Sequence, residues 1–102
     1  MKITNFPAFT PSFNKLIENQ EKRFLIEFYH YDFNSEPFLY TDCYVQDIIM
    51  QKVPEHGLII TIFTPYTTIS LSERNHFTNI SDEAVVFSSK HDDESYCIIN
   101  FS

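Results

Sequence analysis

Glycine is nearly missing from this chain: Gly57 stands alone among 102 residues. A dinucleotide fingerprint or a Walker loop needs several glycines at fixed spacing so that backbone amides can approach phosphate, and one glycine builds neither. Cysteine is also scarce. Cys43 and Cys97 sit in apolar or aromatic strand-like runs, without the C-x-x-C or Cys/His spacing of zinc or redox sites. They are expected to be buried free thiols, with a disulfide between neighbouring strands as the alternative. Positive charge is short too, with seven Lys plus Arg against fourteen Asp plus Glu and a net charge of −7. Such a surface repels nucleic acid and anionic lipid and attracts basic partners. No apolar run approaches the ~18 residues that a membrane span requires. The start, MKITNFPAF, has no apolar signal segment, so a cytoplasmic location is expected. Asn79-Ile80-Ser81 is read as a chance match to the glycosylation triplet.

What the chain does have is aromatic mass. Eleven Phe and six Tyr, within a hydrophobic fraction of 43%, place it far from disorder and require a packed interior. The length suits one domain, residues 1–102, and neither an internal repeat nor a low-complexity segment interrupts it. Thr10 before Pro11 reads as a helix start, because Thr caps free amides and Pro loses nothing at the first helical position. The helix is expected over Pro11 to Gln20, with Phe13, Leu16 and Ile17 on its core face.

From Arg23 the run RFLIEFYHYDF favours a long strand, broken at Asn34 to Pro37. A second extended segment, FLYTDCYVQDIIMQKV, runs to Val53 and ends in the turn Pro54-Glu55-His56-Gly57. LIITIF, residues 58–63, reads as a strand covered on both faces. Thr67 to Ser72 alternates Ile69 and Leu71 with hydroxyls, forming a hairpin with it through Pro65 and Tyr66. Residues 73–83 are polar and read as a surface loop; Ala84 to Ser88 and Tyr96 to Phe101 close the series. Six or so strands at hairpin spacing with one short N-terminal helix predict a mainly β, α+β fold. Its antiparallel sheet would curl into a sandwich or partial barrel.

Four clusters are candidate sites. Between the last two strands, KHDDE sets His91 beside Asp92, Asp93 and Glu94 at a hairpin tip. Three successive carboxylates on extended backbone cannot all face one ion, and His91 has no second His at ligand spacing, which leaves a solvated turn or a docking surface for a basic protein. His30 and Asp32 share one strand face, half of a general-base arrangement for a small enzyme or ligand-binding barrel, without an identifiable nucleophile. Tyr29 and Tyr31 take the other parity together with Glu27, as core or as contact face. Asp42, Tyr44 and Gln46 share a face of the second long strand, with Asp47 on the other. That pattern suits an interface for a basic partner or an edge guarded against aggregation.

Charge is uneven as well: residues 1–34 carry four bases and four acids, and residues 35–102 carry three bases and ten acids. In size, acidity and strand pattern the chain resembles the immunity proteins of bacterial contact-dependent growth inhibition and related polymorphic toxin systems. The resemblance implies a single-domain antidote, not an enzyme and without cofactor or metal. It would bind one cognate toxin, commonly a basic nuclease such as an RNase, and cover its active site. The residues expected to meet the toxin are Asp92, Asp93, Glu94, Asp82, Glu83, Asp42 and Tyr44. A phage-type inhibitor that imitates nucleic acid is the alternative, although ten acids in the last two thirds of the chain is thin for imitation.

Overall fold

The computed structural model describes residues 9–30, 39–91 and 95–101. Among these residues one helix, α1 (Phe9–Glu18), precedes eight strands: β1 (Arg23–His30), β2 (Leu39–Tyr44), β3 (Asp47–Val53), β4 (Gly57–Phe63), β5 (Thr68–Ser72), β6 (His76–Ile80), β7 (Ala84–Ser89) and β8 (Ser95–Phe101). They form a five-stranded sheet in the order β2-β1-β8-β7-β6 and a three-stranded sheet in the order β3-β4-β5. Every pairing is antiparallel. The two sheets pack face to face as a sandwich and do not close into a barrel.

Alternation along each strand sorts the side chains. In the larger sheet Phe24, Ile26, Cys43, Val85, Phe87, Cys97 and Ile99 are buried, and in the smaller one Ile48, Ile60, Ile62, Ile69 and Leu71 answer them across the interior. The helix joins this core through Phe9 and Leu16. Phe9 meets Phe87 edge to face, with ring centroids 5.8 Å apart and planes at 73°.

Several sequence expectations need correction. The helix begins at Phe9, two residues before Pro11, so Thr10 is helical and does not cap it. Pro11 still lies in the first turn, where amides have no intrahelical acceptor, and burial of Phe9 rewards the earlier start. Its inward face is Phe9, Ser12 and Leu16 with Phe13 half-buried, whereas Ile17 is 38% exposed. The segment expected as one long strand to Val53 is two strands in different sheets. Inward parity runs through Cys43 and then shifts to Ile48, because the chain crosses between sheets at Val45 and Gln46. Gln46 is therefore not on a strand face with Asp42 and Tyr44; its amide donates to the Phe63 carbonyl at 2.7 Å.

The expected loop over residues 73–83 contains β6, an edge strand paired with β7. LIITIF is covered on one face only. Ile60 and Ile62 are buried, while Ile59, Thr61 and Phe63 are half-exposed on the outside of the smaller sheet. The β4–β5 hairpin and the outward hydroxyls of β5 are as expected, with Thr61 and Ser70 hydroxyls 3.3 Å apart. Two positive φ angles of 73° mark the entry to β4, one at Glu55 in the turn and one at Gly57, the first residue of the strand.

The thiols are free and buried. Cys43 stands opposite Phe24 and Cys97 opposite Phe28, on strands that flank β1 from either side. Two strand spacings and four residues along the strand separate them by well over the ~7 Å limit for a bridge. Burial pushes the Cys97 thiol up to about 12 from an ordinary 9.0, and burial with the nearby Asp42 charge raises Cys43. Because the thiolate is the reactive form, Cys97 in the folded protein is expected to react with a thiol reagent about a thousandfold more slowly than an exposed cysteine at pH 7. Labelling with and without urea checks this. Two thiols should appear on unfolding, and fast native-state labelling of Cys97 would contradict its placement.

Candidate partner interface

Among the described residues no layer lies over the outer face of the five-stranded sheet, and none of that face's described side chains is buried. Following the register, this face carries Tyr40, Asp42 and Tyr44 from β2, Arg23, Leu25, Glu27 and Tyr29 from β1, and Tyr96 and Ile98 from β8. Val86 from β7 and Phe77 from β6 complete it. Tyr40, Tyr44 and Phe77 are 55%, 63% and 62% exposed. Large rings left in water on a rigid sheet are what a protein interface uses, since they bury much area at little conformational cost. Tyr29 stacks on Tyr96 with centroids 4.9 Å apart and planes 8° from parallel. The Lys90 ammonium lies 5.1 Å from the centroid of Phe77.

The expected contact residues distribute as follows. Asp42 and Tyr44 are exposed on this face, and Arg23 Nε is 2.8 Å from Asp42 Oδ1, so that charge is partly answered within the chain. Asp82 and Glu83 are exposed in the turn between β6 and β7, closed by the Ser81 amide donating to the Ala84 carbonyl at 2.9 Å. Asp92, Asp93 and Glu94 lie outside the described residues. Lys90 and His91, which precede them, are exposed at the far end of β7 from Asp82 and Glu83. Six residues of strand hold those two ends roughly 20 Å apart. Asp42 pairs in register with Leu25, then Asn100, then Ala84, which puts it at the Glu83 end of the sheet. The fold thus gathers Asp42, Tyr44, Asp82 and Glu83 at one end.

The His30 backbone is on β1, but its side chain, together with Tyr31 and Asp32, lies outside the described residues. Tyr29 is not a core residue: Phe24 and Ile26 turn inward and Leu25, Glu27 and Tyr29 turn outward. The aromatic breadth of this face was missed by sequence reasoning. The signal was there in the shared parity of Glu27 and Tyr29, but strand order was needed to set Tyr40, Tyr96 and Ile98 beside them.

A second feature is a small cleft of about 90 Å³ at one edge of the sandwich, walled mainly by Phe28, Leu71, His76, Phe87, Ser89 and Cys97. His76 Nδ1 is 3.1 Å from the Ser72 carbonyl, which accepts its proton. Burial pulls the imidazole below its ordinary value, and the neighbouring His91 and Lys90 reinforce this. With His76 neutral and the Cys97 thiol protonated, the cleft walls are uncharged at pH 7. Among the described residues no group of three or more His, Cys, Asp or Glu side chains could hold a metal ion, and no helix is long and apolar enough to cross a membrane.

No protein-family model, no curated protein and no solved structure matches the chain.

Proposed function

We propose that this chain is an antidote of the immunity-protein kind, which binds a basic protein toxin, most simply a nuclease, and blocks it. The observation that carries this reading is the sheet face that exposes Tyr40, Tyr44 and Phe77 beside the Tyr29–Tyr96 pair, on a protein with a net charge of −7. A nuclease must display Lys, Arg or His to its phosphate substrate. An acidic protein is drawn to that surface from a distance, and exposed rings then supply the area that is desolvated on contact. Asp82, Glu83 and Asp42 at one end of the sheet, with Asp92, Asp93 and Glu94 in the β7–β8 connection, are the steering charges of this proposal. The site of action is the cytoplasm, where the toxin would meet nucleic acid. Imitation of nucleic acid has less support, because the outer face is rich in rings and poor in carboxylates.

Co-expression with the product of the adjacent reading frame tests the proposal. The two chains should co-purify. Their association rate should fall at least tenfold when salt rises from low to several hundred millimolar, as expected for steering screened over a Debye length of about 10 Å at 0.1 M. If no complex forms at either salt concentration, the antidote reading is overturned.

A further inference from the structure

We propose that Glu27, framed by Tyr40 and the stacked Tyr29–Tyr96 pair, is a receptor for one arginine or lysine side chain of the basic partner; this rests on the antidote reading for its biological occupant. Glu27 lies on β1, which is bordered on both sides, so its backbone is held by two ladders. Across one ladder it faces Tyr40, and across the other it faces Ile98. Two residues along the same face stands Tyr29, whose ring is fixed by its stack on Tyr96. Glu27 is half-buried, with Tyr40 across one ladder and the Tyr29–Tyr96 pair two residues along.

No cation answers it among the described residues. Arg23, on the same face of the same strand, is committed to Asp42 at 2.8 Å. Four residues of strand put Arg23 roughly 13 Å away. Lys90 rests over Phe77, at the opposite edge of the sheet. A carboxylate without a cation of its own offers an incoming guanidinium or ammonium a charge-assisted hydrogen bond. Tyr40, more than half exposed beside it, offers a ring face on which the same cation can lie. An arginine fits this geometry best, since its planar group can stack on a ring while its edge donates to the carboxylate. Net charge of −7 supplies the matching long-range attraction.

The test is a titration of the labelled protein with the peptide acetyl-Gly-Arg-Arg-Gly-amide, followed by amide chemical shifts, with the uncharged citrulline peptide as control. Shifts should concentrate at Glu27, Tyr29, Tyr40, Tyr96 and Ile98, be absent with citrulline, and weaken at least fivefold in Glu27→Gln. Asp82→Asn with Glu83→Gln should leave them in place. Shifts spread over the exposed carboxylates, or unchanged by Glu27→Gln, overturn the subsite. Should Glu27→Gln not fold, Tyr40→Ala, at an exposed position, makes the same distinction. The adjacent-frame product is titrated in parallel, with a ten- to hundredfold loss expected for Glu27→Gln. If that product binds both forms alike, the subsite falls and the antidote reading stands. If it ignores the native protein while the arginine peptide binds at Glu27, the antidote reading falls and the subsite stands.

Discussion

Replacing Phe87 by alanine is expected to lower the unfolding free energy by about 3–5 kcal/mol. Phe87 is fully buried on β7, opposite Cys97, and it joins three parts of the fold. Phe9 of the helix packs on its edge, and the His76 ring of β6 meets it at 6.5 Å and 87°. It also walls the cleft beside Leu71 and Phe28. Removing the ring would merge a new void with that cleft, so the helix and β6 would lose their common contact while the sheet backbone, held by its ladders, could not close over the gap. A domain of this size has a total stability of about 5–15 kcal/mol, so the loss is a large part of it. Urea denaturation should show a much lower midpoint with an unchanged slope, and Phe87→Leu should recover a good part of the difference. A loss below about 1 kcal/mol would mean that Phe87 does not tie helix and sheets together.

The second large effect is expected at Gly57, where valine should cost roughly 2–4 kcal/mol. Its φ of 73° lies in the left-handed region, which penalises any Cβ by about 1–2 kcal/mol and a branched one most. Space is also taken, since a Cβ built there lies 2.6 Å from Glu73 Oε1. That oxygen accepts the Leu58 amide at 3.1 Å, and the Glu73 amide in turn donates to the Leu58 carbonyl at 2.7 Å. The carboxylate can swing away only by abandoning a charge-assisted hydrogen bond that ties β4 to the turn after β5. The two causes separate in a double-mutant cycle. In a Glu73→Ala background, Gly57→Val should cost only the backbone part, and equal costs in both backgrounds would show that the Glu73 contact contributes nothing.

Gly57 also shows how far a sequence can be read. Its place in a turn followed from Pro54 and Glu55 before it and an apolar run after it, but its crowding by Glu73 depends on β4 and β5 pairing, which no local pattern states. The strands were legible where alternation was clean, as in Ile69 and Leu71 of β5. β6 was not, because His76-Phe77-Thr78-Asn79-Ile80 is an edge strand with exposed Phe77 and Ile80, and its polar content is that of a loop. The break between β2 and β3 was written in the change of apolar parity from Cys43 to Ile48. It was hidden by the absence of glycine or proline at the corner. Likewise, helical spacing alone could not tell that Ser12 and not Ile17 would turn inward, since the helix is rotated by the sheets it rests on.

Composition and local pattern were enough to settle a mainly β chain with one short helix, a surplus of negative charge and no glycine-built phosphate loop, because each depends on residue identity or on neighbours a few positions apart; that the thiols stay unpaired followed only from strand order. Which strands lie side by side was decided only by the tertiary structure. That is why Tyr40, Glu27, Tyr29 and Tyr96 share one open face, and why Asp82 and Glu83 stand a strand's length from His91. The physical reason is that strand order and sheet-to-sheet packing come from matching two apolar faces across the whole chain, a condition that no short stretch of sequence contains.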